Sequence, residues 1–291
     1  MKVPDLESRY RVAPDRFRLA DHDPADTAGL DCTHARRLRE AELKRLRLLQ
    51  KRLYAERRQS LLVVLQGLDA SGKDGTIAHV MSGADPSALR ATSFKVPSPH
   101  DLDHDWLWRC VVALPERGQI GIFNRSHYEE VIAVRVHPEH LAAEAVDPQQ
   151  AGDRAFWDAR MKTIDVWERH LVSCGTRVVK FFLHISKEEQ RKRLLQRATD
   201  PEKQWKFSLD DVAEREHWDA YRAVYQDVLR ATSTDAAPWY AIPADHKWMA
   251  RTVVAQIVVH HLERMDPRFP EPDEATRRAW AEAVRLLEAD G

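Results

Sequence analysis

Short runs in which nearly every position is apolar alternate along this chain with longer stretches in which apolar residues recur every three or four positions. Ser60–Gln66, Ala91–Val96, Gln119–Phe123, Thr176–His184 and Trp239–Ile242 are of the first kind and read as strands, several too apolar to leave one face in water. Lys73–Ser82, Asp101–Leu114, Asp153–Ser173 and Lys187–Leu229 are of the second kind and read as helices. Ahead of them, Thr33 to Arg58 places Leu38, Leu43, Leu46, Leu49 and Leu53 on one side of a helix and Arg and Lys on the other. Strand and helix in alternation predict an α/β fold: a mainly parallel sheet, helices on both faces, and ligands bound outside the carboxyl ends of the strands.

The two ends read differently. Residues 1–30 are polar and rich in proline and aspartate, as in Pro14-Asp15 and Asp23-Pro24, which predicts an extended lead-in rather than a packed element. After His246 the pattern predicts a helix to about Glu263, a break at Pro267–Pro272 and a last helix over Glu274–Glu288. The expected division is therefore an arm and amphipathic helix over 1–58, a main domain over 59–265 and a helical tail over 266–291.

Composition narrows the function. With 45 Lys and Arg against 46 Asp and Glu the chain is nearly neutral, whereas coating nucleic acid requires a large cationic excess. Any polyanion site must be a local concentration of basic residues. The three cysteines, Cys32, Cys110 and Cys174, lack metal-ligand spacing and predict reduced thiols. The longest clean apolar run, Leu61–Leu65, is too short to cross a bilayer, so the expected setting is soluble and cytoplasmic, without membrane or nucleic-acid partners.

Gly67-Leu68-Asp69-Ala70-Ser71-Gly72-Lys73 fits G-x-x-x-x-G-K between a predicted strand and a predicted helix, and Asp74-Gly75 follow. Phosphate needs bare backbone N–H groups at close approach. Gly67, Gly72 and Gly75 clear the way for them, Ala70 and Ser71 contribute theirs, and Lys73 adds a point charge. Asp74 stands where a magnesium-binding hydroxyl usually follows the lysine, and Asp69 sits inside the loop. Carboxylates beside phosphates repel them unless a cation lies between, so these acids imply bound Mg²⁺; Asp74 serves either as that contact or as a first-turn helix charge.

The strand ending at Phe123 turns polar as Asn124-Arg125-Ser126-His127-Tyr128-Glu129-Glu130. Asn124 holds the place of the acid that completes a magnesium shell in related loops, leaving Glu129, Glu130 or a water network for that role. Arg125 is placed to meet the transferring phosphoryl group, and His127 is expected to be structural. Residues 187–221 are helical, broken at Asp200-Pro201 and dense in cations, which predicts a lid. Its charges exceed what a short nucleotide needs and point to a longer phosphate chain, although interspersed acids also allow ordinary helix ion pairs.

These blocks together with Phe94–Pro97 as F-K-V-P, His104–Arg109 as H-D-W-L-W-R, Asp200–Lys206 as D-P-E-K-Q-W-K, Trp218–Tyr221 as W-D-A-Y and Pro238–Asp245 as P-W-Y-A-I-P-A-D resemble the polyphosphate kinase 2 family, from about Arg52 to about His261. The resemblance implies a P-loop kinase fold like that of thymidylate kinases, with a helical lid. It implies Mg²⁺- or Mn²⁺-dependent phosphoryl transfer between inorganic polyphosphate and adenine or guanine nucleotides by a homo-oligomer, dimer or tetramer. It implies Asp69, Lys73 and Arg125 as the reactive core, Asp69 with Glu130 as metal contacts, and Arg191, Arg197, Lys203, Lys206 and Arg215 as the polyphosphate track. The N-R-S-H-Y-E-E run is similar to that of members accepting AMP, or AMP and ADP. An ATP-dependent kinase of the same fold and a non-catalytic nucleotide- or nucleic-acid-binding switch are the rival readings.

Overall fold

The computed structural model describes residues 4–290. Its elements in chain order are helix α1 (Leu6–Tyr10), α2 (Cys32–Glu56), strand β1 (Ser60–Gln66), α3 (Lys73–Val80), β2 (Leu89–Ser93), the single turns α4 (Pro99–Leu102) and α5 (Trp108–Val111), β3 (Ile120–Asn124), α6 (Ala133–Val136) and α7 (Arg154–Ser173). There follow β4 (Thr176–His184), α8 (Lys187–Thr199), α9 (Asp210–Ala213), α10 (Trp218–Thr232), β5 (Trp239–Pro243), α11 (Lys247–Met265) and α12 (Glu274–Ala289).

The five strands form one parallel sheet in the order β2-β3-β1-β4-β5. Every residue of β1 is buried because both faces of the sheet are covered. Leu61, Val63 and Leu65 face a core shared with α2 and α11, while Leu62 and Val64 face a second core shared with α7 and α10. The register sets Leu65 beside Asn124 and Phe181, so the loops leaving β1, β3 and β4 emerge side by side at the carboxyl edge.

Two expectations fail. Residues 101–114 form no continuous helix but two single turns, since Asp103, His104 and Asp105 separate them and Ser98 caps the first with a reciprocal Asp101 bond. The expected lead-in is packed rather than free. Leu6 and Tyr10 enter the first core, and Val12, Phe17 and Leu19 the second, so the arm wraps the edge of the sheet beyond β5. It is fastened there by an Arg11–Tyr240 antiparallel bridge and by Glu7, which accepts hydrogen bonds from the Tyr240 hydroxyl and the Arg264 guanidinium. Met1–Val3 of that arm and Gly291 of the tail lie outside the described residues. The lid does break at Asp200, where α8 ends. Helix α12 buries none of its residues.

Candidate active site

The glycine loop is shaped by backbone conformations that few residues adopt. Gly72 has φ +106° and Ala70 +60°, which turns successive N–H groups toward one side and starts α3 at Lys73. At Gly67 a Cβ would stand 2.8 Å from Ser71 Oγ and 2.9 Å from the Leu183 carbonyl, so the loop leaves β1 against β4 with no room for a side chain. Lys73 folds back over the loop, donating to the Gly67 carbonyl at 2.6 Å and to Leu68 O at 3.3 Å. Burial, together with Arg125, pushes its ammonium down to about 8, with Asp69 among the acids that oppose the shift.

Arg125 follows β3 with φ +62°, its N–H held by the Leu65 carbonyl at 3.0 Å. Its fork spans two acids, Asp69 Oδ1 at 2.7 Å and Glu129 Oε2 at 3.0 Å. Asn124 donates to Asp74 Oδ1 at 2.8 Å and to Ser93 Oγ at 3.3 Å, while its own Oδ1 is buried and has no partner among the described residues. Asp69, Lys73, Asp74, Asn124 and Arg125, together with Ala70, Ser71, Gly72 and Gly75, therefore line one cleft of about 820 Å³.

The cleft is strongly cationic: Lys73, Lys95, Arg125, Arg193, Arg197, Lys203, Lys206, Lys247 and Arg251 face only Asp69, Asp74, Glu202 and Asp211. Of the expected track, Arg197, Lys203 and Lys206 line it. Arg197 is paired with Asp211 at 3.1 Å, Lys203 with Asp200, and Lys206 stands 3.6 Å from Asp74.

Arg191 and Arg215 do not line it. Arg191 lies on the outer side of α8 with Glu188, and Arg215 braces the loop from behind, donating to Gln190 Oε1, whose amide in turn donates to the Asp69 carbonyl. The helix turn carries Arg193, not Arg191, inward. Arg193 donates to the carbonyls of Ala70, Ser71, Ala244 and Asp245 and ties the glycine loop to the loop after β5.

Sequence reasoning missed Lys95, Lys247 and Arg251. The last two sit four residues apart at the start of α11, just past a strand's carboxyl end, and that position was the available signal.

Glu130 is likewise placed apart from Asp69. It is buried, paired with Arg109 at 2.7 Å, and lines a separate cavity of about 160 Å³ with Asp101, Trp106, Glu144 and Arg160. Burial raises its carboxyl to about 7 against the pull of Arg109. The turn after Ser126 sends Glu129 toward Arg125 and Glu130 the other way, so the expected Asp69–Glu130 pair around one metal does not form. His127 is structural, as expected: buried, bonded to Glu168 and held below its ordinary pKa by burial.

No three His, Cys, Asp or Glu side chains cluster as a metal cage among the described residues. Two carboxylates that line the cleft, Asp69 and Asp74, are of the kind that suits a hard cation keeping water and substrate oxygens around it, whereas Asn124 turns its amide nitrogen toward Asp74 and keeps its Oδ1 buried.

A glycine loop between a parallel strand and a helix, with an arginine at the neighbouring strand end and a cationic lid, defines a phosphotransferase with the P-loop kinase fold. The chain belongs to the polyphosphate kinase 2 family, whose model, described as "Polyphosphate kinase 2 (PPK2)", matches residues 30–270. It is 48% identical over 245 residues, covering 84% of this chain and 85% of the relative, to an ADP-polyphosphate phosphotransferase of Rhodopseudomonas palustris. It is 44% identical over 273 residues, 93% of this chain and 98% of the relative, to an AMP/ADP-polyphosphate phosphotransferase of Meiothermus ruber. The crystal structure of polyphosphate kinase 2 from Arthrobacter aurescens TC1 superposes with a TM-score of 0.87 at 36% identity, covering 96% of this chain and 97% of that one.

Proposed function

We propose that this protein moves the terminal phosphoryl group of inorganic polyphosphate to AMP or ADP, reversibly. The observation that carries the reading is the excess of nine cationic over four acidic side chains in a single cleft built on the glycine loop. A nucleotide alone does not need so many charges, and an extended phosphate chain does. The names of the two relatives, one acting with ADP and one with AMP or ADP, support the same acceptors.

An oxygen of the acceptor's terminal phosphate attacks the end phosphorus of the chain. The bond from that phosphorus to the bridging oxygen breaks, leaving polyphosphate one unit shorter and the nucleotide one unit longer. The loop N–H groups and Lys73 hold the donor's end, and the Arg125 fork meets the charge that develops on the moving group. Asp69 and Asp74 would hold a divalent cation, Mg²⁺ or Mn²⁺, which supplies charge neutralisation between phosphates when bound. Arg197, Lys203 and Lys206 hold the next phosphates and exclude water.

The test is direct: purified protein with polyphosphate, magnesium and ADP yields ATP in a luciferase assay, and with AMP yields ADP. Turnover only when ATP is the donor would assign a small-molecule kinase instead. Salt-sensitive nucleic-acid binding without transfer would assign a switch. Self-association as a dimer or tetramer, part of the same reading, is checked by light scattering.

A further inference from the structure

Helix α12 is built to form and has nothing of its own chain to lie on. Asp273 caps its start, accepting from the Thr276 N–H at 2.8 Å, and alanine recurs through its 16 residues. A helix of this length is marginal in water unless tertiary packing holds it, yet none of its residues is buried. Trp280, Val284 and Leu287, spaced as i, i+4 and i+7, make one apolar stripe and are 58%, 52% and 73% exposed. The helix also lies beyond the matched residues 30–270, so the family as a whole does not explain it.

The charges beside the stripe indicate what covers it. Arg278 pairs with Glu274 at 2.6 Å and Arg285 with Glu282 at 2.9 Å, both within the helix. Arg277 and Glu288 have no opposite charge within 4 Å among the described residues. Eleven residues separate them, close to three helical turns, so both stand on the same flank of the stripe, one near each end. A flank that is basic at one end and acidic at the other is complementary to itself when reversed. A two-fold axis across the helices brings Arg277 of each copy to Glu288 of the other and lays Trp280 against the partner's Val284 and the partner's Leu287. Parallel pairing would set like charges against each other instead.

We propose that α12 is a pairing helix, its stripe packed antiparallel on α12 of a second copy of this chain with an Arg277–Glu288 ion pair at each end. This rests on the self-association in the reading above and names its surface; the choice of phosphate donor does not enter. The same patch serves both copies, so the contact closes as a dimer rather than extending into a filament. Two four-turn helices bury less than the roughly 1,200 Å² of a stable standard interface, so the contact dissociates on dilution.

The experiment is light scattering and sedimentation of the full chain over a concentration series. Trp280→Gln/Leu287→Gln is expected to halve the particle mass. Arg277→Glu and Glu288→Arg are each expected to raise the dissociation constant by about tenfold, since either change turns two attractive pairs into two repulsive ones. The double swap Arg277→Glu/Glu288→Arg restores both pairs in reverse and is expected to return the constant to within about threefold of wild type. None of these residues lines the cleft, so turnover per chain stays within about twofold in every variant and certifies the fold. Single swaps without effect, a double swap no tighter than the singles, or an unchanged mass in Trp280→Gln/Leu287→Gln overturns the pairing while leaving self-association through another surface intact. A wild-type chain that is monomeric at every concentration overturns the self-association itself, so the two failures are distinguishable.

Discussion

Arg125 Nη2 donates to Asp69 Oδ1 at 2.7 Å, so the cation expected to meet the transferring group and the acid expected to hold the metal neutralise each other across the mouth of the glycine loop. Glu129 holds the second arm of the fork at 3.0 Å and so fixes the orientation of the planar guanidinium. On the proposed reading, opening this pair would give Arg125 to phosphate oxygens and Asp69 to a cation, one exchange coupling the two partners' arrival. Lys at this position keeps the charge and loses the fork. Arg125→Lys is expected to lower kcat by about a hundredfold while leaving KM for polyphosphate within a few-fold, as read from steady-state ATP formation.

Lys73 predicts an alkaline limit. The ammonium is the form that binds phosphate, and burial has brought its pKa in the free protein down to about 8. Above that pH the protonated fraction falls tenfold per unit, so kcat/KM for polyphosphate is expected to fall with the same slope as pH rises past about 8. At saturating donor the phosphate charges favour the ammonium, which moves the limit in kcat to higher pH. A profile of kcat/KM that stays flat to pH 10 would show that Lys73 does not carry this binding.

The division of the lid cations makes a third prediction. Lys203→Ala and Lys206→Ala remove charges from the cleft and are expected to raise KM for polyphosphate by roughly three- to tenfold each. Arg191→Ala removes an exposed charge paired with Glu188 and is expected to leave KM within about twofold. Arg215→Ala withdraws the brace on Gln190 and hence on the Asp69 carbonyl, so its effect falls on kcat. The four variants assayed over a polyphosphate titration separate contact from support.

The same residues show how far the sequence could be read. The glycine loop was legible because its chemistry demands fixed spacing beside a buried strand, and Ser60–Gln66 is buried at every position. Strand order was not legible: β1 pairs with β3 and β4, far along the chain, and no local pattern encodes that choice. The arm escaped because Leu6, Tyr10, Val12, Phe17 and Leu19 follow neither period and lie among prolines and aspartates; only the sheet edge they cover gives them a common purpose. In the lid, charge was visible but direction was not. Gln190, Arg193 and Arg197 share the inner face of α8 at helical spacing, which leaves Arg191 on the outer face. Glu129 and Glu130 diverge because the backbone after Ser126 is a tight 3₁₀ turn, which strand alternation could not foretell.

Buried histidines set the acid limit of stability. Burial holds His184 down to about 4 and His261 down to about 3, and also lowers His22 and His127. An unfolded histidine takes a proton near pH 6.5, so between about 6.5 and 4 the unfolded chain binds protons that the folded chain refuses, and stability falls as pH falls. His260, raised by its bond to Glu7, works in the opposite sense as a single group against four. Glu7 is held below the usual carboxylate range by His260 and Arg264 against its burial, and its contribution is lost only further down, as pH drops below about 4.3. Tm is expected to decline from pH 6.5 toward 4.5, and His184→Gln is expected to flatten that upper part of the curve without changing the part below it.

Lys180 and Glu168 form an ion pair sealed beneath the turn that carries Arg125. The Lys180 ammonium donates to Glu168, to the Tyr128 hydroxyl at 2.8 Å and to the Thr232 carbonyl at 2.8 Å, and Glu168 also accepts from Tyr128 at 3.0 Å and bonds His127 at 3.2 Å. Both side chains are withdrawn from solvent, so removing one charge strands the other: Lys180→Met is expected to cost roughly 3–5 kcal/mol in urea unfolding. For an isolated buried pair, adding Glu168→Leu would recover most of that loss. Here the recovery is expected to stop short, because Tyr128 and His127 lose their shared acceptor. Full recovery in the double variant would show that the pair carries the stability alone. Partial recovery, accompanied by a fall in kcat at unchanged KM, would show that Glu168 also holds His127 and Tyr128, and through them Arg125, in place.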